Sequence, residues 1–279
     1  MIKLAIIAGR GDLPKHVAAA AKDMGSLSVV IALEGFADKN DFELAKSFRV
    51  GEFGGIIKYL KKQKVSHVCF CGNVERPDFK SVRPDLKAMF YLPGTIRAAQ
   101  QGDDALLRHL MGLFEKEGLE VVSPQDVCEP LLLKEGAIGE VNISKQHRND
   151  TISACHIAQS IGALDIGQSA VVVKGVTLAV EAQEGTDAML TRILALPSAL
   201  RGNEDKPAGV LAKMVKPIQD TRVDMPVIGL QTVKNVYDAG LAGIVAEAGG
   251  AFILDREAVI EFANEKGLFI VGLPPFDNV

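Results

Sequence analysis

The apolar positions of the chain first follow a strand and helix alternation. Leu4–Ala8 is a short apolar run and predicts a buried strand. The turn Gly9-Arg10-Gly11-Asp12-Leu13-Pro14 follows. Val17, Ala18, Ala21 and Met24 then recur near helical spacing, with Gly25 as the expected stop. Leu27–Leu33 predicts a second strand and Ser47–Val50 a third. Phe53–Lys62 reads as a helix with Ile56, Ile57 and Leu60 on one side, and Val65–Cys71 as a further strand. Pro84–Ala99 predicts a helix interrupted near Pro93-Gly94. A second helix opens at Gly102-Asp103-Asp104, with Leu106, Leu107, Leu110, Leu113 and Phe114 as its apolar stripe and Asp103 as its expected N-cap. Glu120–Ser123 closes this half as a strand. Strand, glycine turn and helix in repetition predict a doubly wound parallel sheet.

The texture changes at Pro130–Gly136. Asn149–Ile161 predicts a helix. Ser169–Val173 and Val176–Val180 are β-branched runs joined by Lys174-Gly175, a hairpin signature. Glu181–Asp187 follows, then a helix over Ala188–Leu196 that Thr186 would cap. Helices over Val233–Leu241 and Ala258–Gly267 and a strand over Leu268–Gly272 complete the chain, which belongs to the α/β class.

Composition narrows the function. The net charge of -4 comes with no basic block, which argues against nucleic acid as a partner. Cys69, Cys71, Cys128 and Cys155 lack the spacing of a zinc site and read as reduced thiols of a reducing compartment. The apolar start is too short for a signal peptide, and no stretch reaches the roughly 18 apolar residues that span a bilayer. The expectation is a cytoplasmic protein with at most peripheral membrane contact.

Candidate chemistry gathers in a few places. Glycines after the first strand let a backbone approach an anion at a helix N-terminus. Pro14, however, stands where the third glycine of a dinucleotide fingerprint belongs, so Gly9 and Gly11 also suit a tight turn that binds nothing. Asn73 and Arg76 follow a strand whose carboxyl end faces the ligand side of such a sheet. Glu184 and Asp187, at a strand-to-helix corner, suit either a divalent cation or a helix N-terminus. Lys213–Gly229, reading KMVKPIQDTRVDMPVIG, carries the densest charge. Asp220 and Asp224 share a face in helix or strand, and Arg222 joins them if the segment is extended. That combination suits a metal with a phosphate, or a solvated loop. The five histidines are scattered, and no zinc-protease, nucleophile-elbow or Walker motif occurs.

The segments AGRGDLP (8–14), CGNVERP (71–77), GDDALLR (102–108), DIGQS (165–169), AVEAQEGTD (179–187), KMVKPIQDTRVDMPVIG (213–229) and AGLAGI (239–244) together resemble a known family. It is that of the UDP-2,3-diacylglucosamine pyrophosphatases of lipid A biosynthesis, of the type unrelated to calcineurin-like phosphoesterases. The resemblance implies an N-terminal Rossmann-like domain, 1–132, and a C-terminal α/β domain of unusual fold, 133–279. It implies hydrolysis of a lipid-linked UDP-sugar to UMP and 2,3-diacylglucosamine 1-phosphate with Mg²⁺ or Mn²⁺, a homodimer, and transient contact with the inner membrane. On this reading Asp224 is the central catalytic group. Asp220, Glu184 and Asp187 complete the metal shell, and Lys213, Lys216 and Arg222 hold phosphate. Gly9, Gly11, Asn73, Asp103, Gln168 and Gln219 are the substrate-binding candidates. Two other readings stay open on the residues alone: a non-catalytic sensor of nucleotide sugars, and an NAD(P)-dependent oxidoreductase resting on the GxG turn.

Overall fold

The computed structural model describes residues 2–76, 78–79, 81–217, 222 and 225–275. They form two compact units, the first taking the described residues up to Pro130 together with Arg222, the second taking the rest.

In the first unit the chain runs β1 (Leu4–Ala8), α1 (Leu13–Asp23), β2 (Leu27–Leu33), β3 (Ala45–Phe48), α2 (Phe53–Lys62), β4 (His67–Cys71), α3 (Leu86–Ala99), α4 (Asp103–Lys116), β5 (Glu120–Val122) and α5 (Pro124–Val127). The strands pair in the order β3-β2-β1-β4-β5, all parallel. This is the Rossmann-like domain that the alternation predicts. Strand order reverses at β1, so the carboxyl ends of β1 and β4 form the switch point where open α/β sheets take ligands. β1 is buried along its whole length, as a strand covered on both faces must be. Phe53, Phe70, Tyr91 and Phe114 pack edge to face at 5.0–5.7 Å and tie α2, α3 and α4 to β4.

Two expectations are corrected here. The helix over Leu86–Ala99 runs on through Pro93, which costs one ladder hydrogen bond but not the helix. Gly94 lies next to His109 of α4, whose ring would stand 3.1 Å from a Cβ, so this stretch of α3 is held against its neighbour. The cap of α4 is Gly102, at φ +128°, and Asp103 is the first helical residue instead.

The second unit contains β6 (Gly136–Ala137), α6 (Arg148–Ala163), β7 (Ser169–Val173), β8 (Val176–Val180), α7 (Gly185–Leu194), α8 (Ser198–Arg201), β9 (Val210–Lys213), β10 (Val227–Ile228), α9 (Leu230–Asp238), β11 (Gly243–Glu247), β12 (Phe252–Ile253), α10 (Arg256–Lys266) and β13 (Phe269–Leu273). Its main sheet has the order β6-β13-β11-β9-β7-β8; β9, β11 and β13 are parallel, while the outer strands run antiparallel. Side chains alternate between two cores. Val171, Val173, Leu211, Ile244 and Ile270 face α7, α9 and α10. Ala170, Val172, Val210, Ala212 and Val245 face Ala154, Cys155 and Ala158 of α6. At the expected hairpin, Lys174 and Gly175 both take positive φ, and the buried Asp150 carboxylate accepts their two backbone N–H groups at 2.8 and 2.7 Å.

Candidate functional site

At the switch point of the first sheet, two turns lie in backbone contact. Arg10 N–H donates to Asn73 O at 2.8 Å and Asn73 N–H to Arg10 O at 3.0 Å. A Cβ on Gly9 would stand 2.6 Å from Asn73 O, and one on Gly72 2.7 Å from Arg10 O. Both glycines are therefore required by the approach of the β1 and β4 turns. Gly11, at φ +95°, has open space around it. The Arg10 guanidinium pairs with Glu75, donates to Gly35 O at 3.2 Å and lies over the Phe36 ring at 5.2 Å. It borders an open recess of about 450 Å³ lined by Glu34, Gly35, Phe36, Asp38 and Ser47 beyond β2 and β3. Arg76 pairs with Asp103 in the first turn of α4, where a carboxylate also suits the helix dipole. The first unit thus joins Gly9 to Asn73 and Arg76 to Asp103. Arg222, expected on phosphate, donates here to Glu115 at 3.1 Å.

The second sheet concentrates chemistry at the carboxyl end of β9. Lys213 ends that strand opposite Ser169, the first residue of β7. Its side chain is buried, and Nζ donates to Val227 O at 3.0 Å. Ser169 is 0% exposed; its hydroxyl meets that of Thr186 at 3.3 Å, and Thr186 donates to Glu181 Oε2 at 3.2 Å. These buried polar groups are mutually satisfied, as burial demands. Thr186 was expected to cap α7; Glu184 holds the cap position, and Thr186 points inward to this network. Gly167 leaves no room for a side chain against Glu181 O, which brings the lead-in to β7 under the end of β8. The Gln168 amide oxygen is buried and accepts no hydrogen bond among the described residues, leaving an acceptor for an N–H or O–H donor. Three residues past β9, Lys216 pairs with Asp165 at 2.9 Å.

Lys213, Lys216 and Gln168 are thus gathered at one sheet edge. Asp220, Asp224 and Gln219 lie outside the described residues. Ser169, Thr186 and Glu181 are additional members; in the sequence Thr186 and Glu181 fall in EAQEGTD and Ser169 closes DIGQS.

A hard divalent cation takes several oxygen ligands. Glu184 is engaged by Arg192, and Asp187 accepts from Asn235 Nδ2 at 2.9 Å. Among the described residues, no three His, Cys, Asp or Glu side chains form a metal-holding group. The described residues alone do not fit a resident cation.

Comparison with known proteins gives full-length matches. The model of the LpxI N-terminal domain matches residues 3–131, and that of the LpxI C-terminal domain matches residues 134–271. The chain is 48% identical over 276 residues to the UDP-2,3-diacylglucosamine pyrophosphatase LpxI of Caulobacter vibrioides, covering 99% of each protein.

Proposed function

This chain belongs to the LpxI family, and from that membership we propose that it hydrolyses the pyrophosphate bond of UDP-2,3-diacylglucosamine, yielding UMP and 2,3-diacylglucosamine 1-phosphate in lipid A biosynthesis. The observation that carries the reading is the identity of 48% across 99% of both chains, which leaves neither domain unmatched. The second sheet supports it with a suitable edge: two lysines, a buried hydroxyl pair and a buried amide oxygen that accepts no hydrogen bond among the described residues.

In the proposed reaction Lys213 and Lys216 take phosphate oxygens, whose charge would otherwise repel an incoming water. Lys216 must loosen from Asp165 to do so, and Lys213 must exchange or share the Val227 carbonyl. Arg222 would leave Glu115 for the same role. Gln168 offers its amide oxygen to a hydroxyl or N–H of the substrate. The network of Ser169, Thr186 and Glu181 fixes the strand ends from which Gln168 and Lys213 project. Asp224 orients the attacking water.

A divalent cation, Mg²⁺ or Mn²⁺, belongs to the proposal, with Asp220 and Asp224 as its ligands; when bound it would neutralise pyrophosphate charge. Glu184 and Asp187 would join only by leaving Arg192 and Asn235. The proposal extends to a homodimer, tested by light scattering, and to contact with a membrane surface. The activity is tested by incubating the purified protein with the diacylated substrate and quantifying UMP.

A further inference from the structure

α3 presents an apolar stripe to solvent. Leu86 is 88% exposed, Met89 56% and Phe90 79%. At spacings i, i+3 and i+4 they share one helix face. Pro93 and Arg97, both exposed, continue that line to the last turn of the helix. Single exposed apolar residues need no explanation, but a row of three large ones does. Two further features lie beside it. From Asp78 to Ala99 the basic residues Lys80, Arg83, Lys87 and Arg97 outnumber Asp78 and Asp85 in a chain of net charge -4; Lys87 is paired with Glu117, so the positive character rests on the other three. At the start of α3, an open recess of about 330 Å³ is lined by Arg49, Val50, Gly51, Ser81, Val82 and Arg83. It is held against the helix by Asp85 N–H donating to Gly51 O at 2.9 Å.

We propose that this face of α3 is a docking surface for an anionic lipid bilayer. Leu86, Met89 and Phe90 enter the boundary between headgroups and acyl chains, and the recess receives lipid phosphate on Arg83, joined by Arg49 once it leaves its ion pair with Glu52. An amphipathic helix lying in the interface gains from its apolar face and from basic groups beside anionic lipid. No helix among the described residues is long and apolar enough to cross a membrane, so contact of this kind is peripheral. The inference rests on the proposed function only in that a diacylated substrate gives the surface a purpose; the surface itself is read from exposure and charge.

The test is flotation of the full chain with vesicles containing phosphatidylglycerol and with neutral phosphatidylcholine vesicles, alongside the double variant Leu86→Ser/Phe90→Ser. The wild type should float with the anionic vesicles, and more weakly as salt is raised. The variant's partitioning should fall by roughly tenfold or more for each side chain removed. Its hydrolysis of substrate dispersed in detergent should be unchanged, while its rate on substrate presented in vesicles drops. Absence of wild-type flotation, or equal flotation of the variant, overturns the proposal. A dimer that becomes a monomer in the variant while vesicle binding persists also overturns it, because the face then belongs to a second copy. Vesicle binding without any hydrolysis would sink the enzymatic reading and leave the docking surface standing.

Discussion

Lys216 and Asp165 form an ion pair at 2.9 Å in which the two side chains are only 14% and 20% exposed. The pair bridges the segment after β9 to the turn after α6. Asp165 itself sits at φ +55°, a left-handed conformation that aspartate and asparagine tolerate better than most residues. Asp165→Ala should therefore lose about 1–3 kcal/mol in urea unfolding, from the broken pair and the backbone together. Asp165→Asn keeps the backbone preference and a hydrogen-bonding oxygen, and should lose less than half as much. Equal losses would mean that the charge alone matters.

The glycines of the first turn should differ sharply. Gly9→Ala places a methyl group 2.6 Å from Asn73 O, against backbone that has no room to yield, and should cost about 1–3 kcal/mol. Gly11→Ala meets no atom within 4 Å and carries only the strain of positive φ, about 1 kcal/mol. Thermal unfolding of the two variants side by side measures the difference; an equal or larger loss in Gly11→Ala would contradict it.

Burial holds the imidazoles of His147 and His109 below their ordinary value of 6.5, with Asp150 opposing the shift at His147 and Lys116 adding to it at His109. The unfolded chain then binds more protons than the folded one, so stability is lost as pH falls below 6.5 and recovered as it rises through that value. Glu117 acts in a lower window. Hydrogen bonds from Lys61 and Lys87 hold its carboxyl below 4.5, so its contribution is full above 4.5 and lost as pH drops further. The urea midpoint should decline in both windows, and His147→Gln should flatten the upper one. An unchanged slope in that variant would place the effect elsewhere.

All four cysteines are free and buried. Desolvation pushes the thiols of Cys128 and Cys155 up to about 12 and that of Cys71 well above its ordinary value. At about pH 8 those three present almost no thiolate to react, and Cys69 is shielded by its burial. A chromogenic thiol reagent should label none of them in the folded protein and all four after denaturation. Rapid labelling of any one would contradict its burial.

Much of the fold was legible in periodicity. β1, β2, α2, β7 and β8 have the bounds that their patterns predict: the first four bury most of their apolar residues in a core, and β8, largely exposed, is fixed by the hairpin turn that pairs it with β7. The sequence shows the local cost of Pro93 but not the packing of Gly94 on His109 that accompanies the unbroken helix. Residue type alone marks Asp103 and Thr186 as caps. Asp103 instead meets Arg76, and Thr186 meets Ser169, through pairings distant in sequence that no local pattern encodes; Glu181, five residues from Thr186, joins them at the strand end. The gathering of Lys213 with Ser169 likewise depends on strand register, and Asp220 and Asp224 remain known by sequence only.

The proposed role of Asp224 gives a sharp variant. Asp224→Ala should unfold at the wild-type urea midpoint and bind substrate, yet lose roughly a hundredfold or more in kcat, as expected when a group acting on the attacking water is removed. Chelation should likewise abolish turnover by the wild type, with Mg²⁺ or Mn²⁺ restoring it. Near-normal kcat in the variant removes Asp224 from the mechanism, and activity that survives chelation removes the cation.

The most direct measurement is product analysis after incubating the wild-type protein with UDP-2,3-diacylglucosamine and Mg²⁺ or Mn²⁺. The expected result is UMP and 2,3-diacylglucosamine 1-phosphate in equal amounts, increasing with time and enzyme. Saturable binding of the substrate with no release of UMP would contradict the hydrolase and identify the chain as a nucleotide-sugar-binding protein.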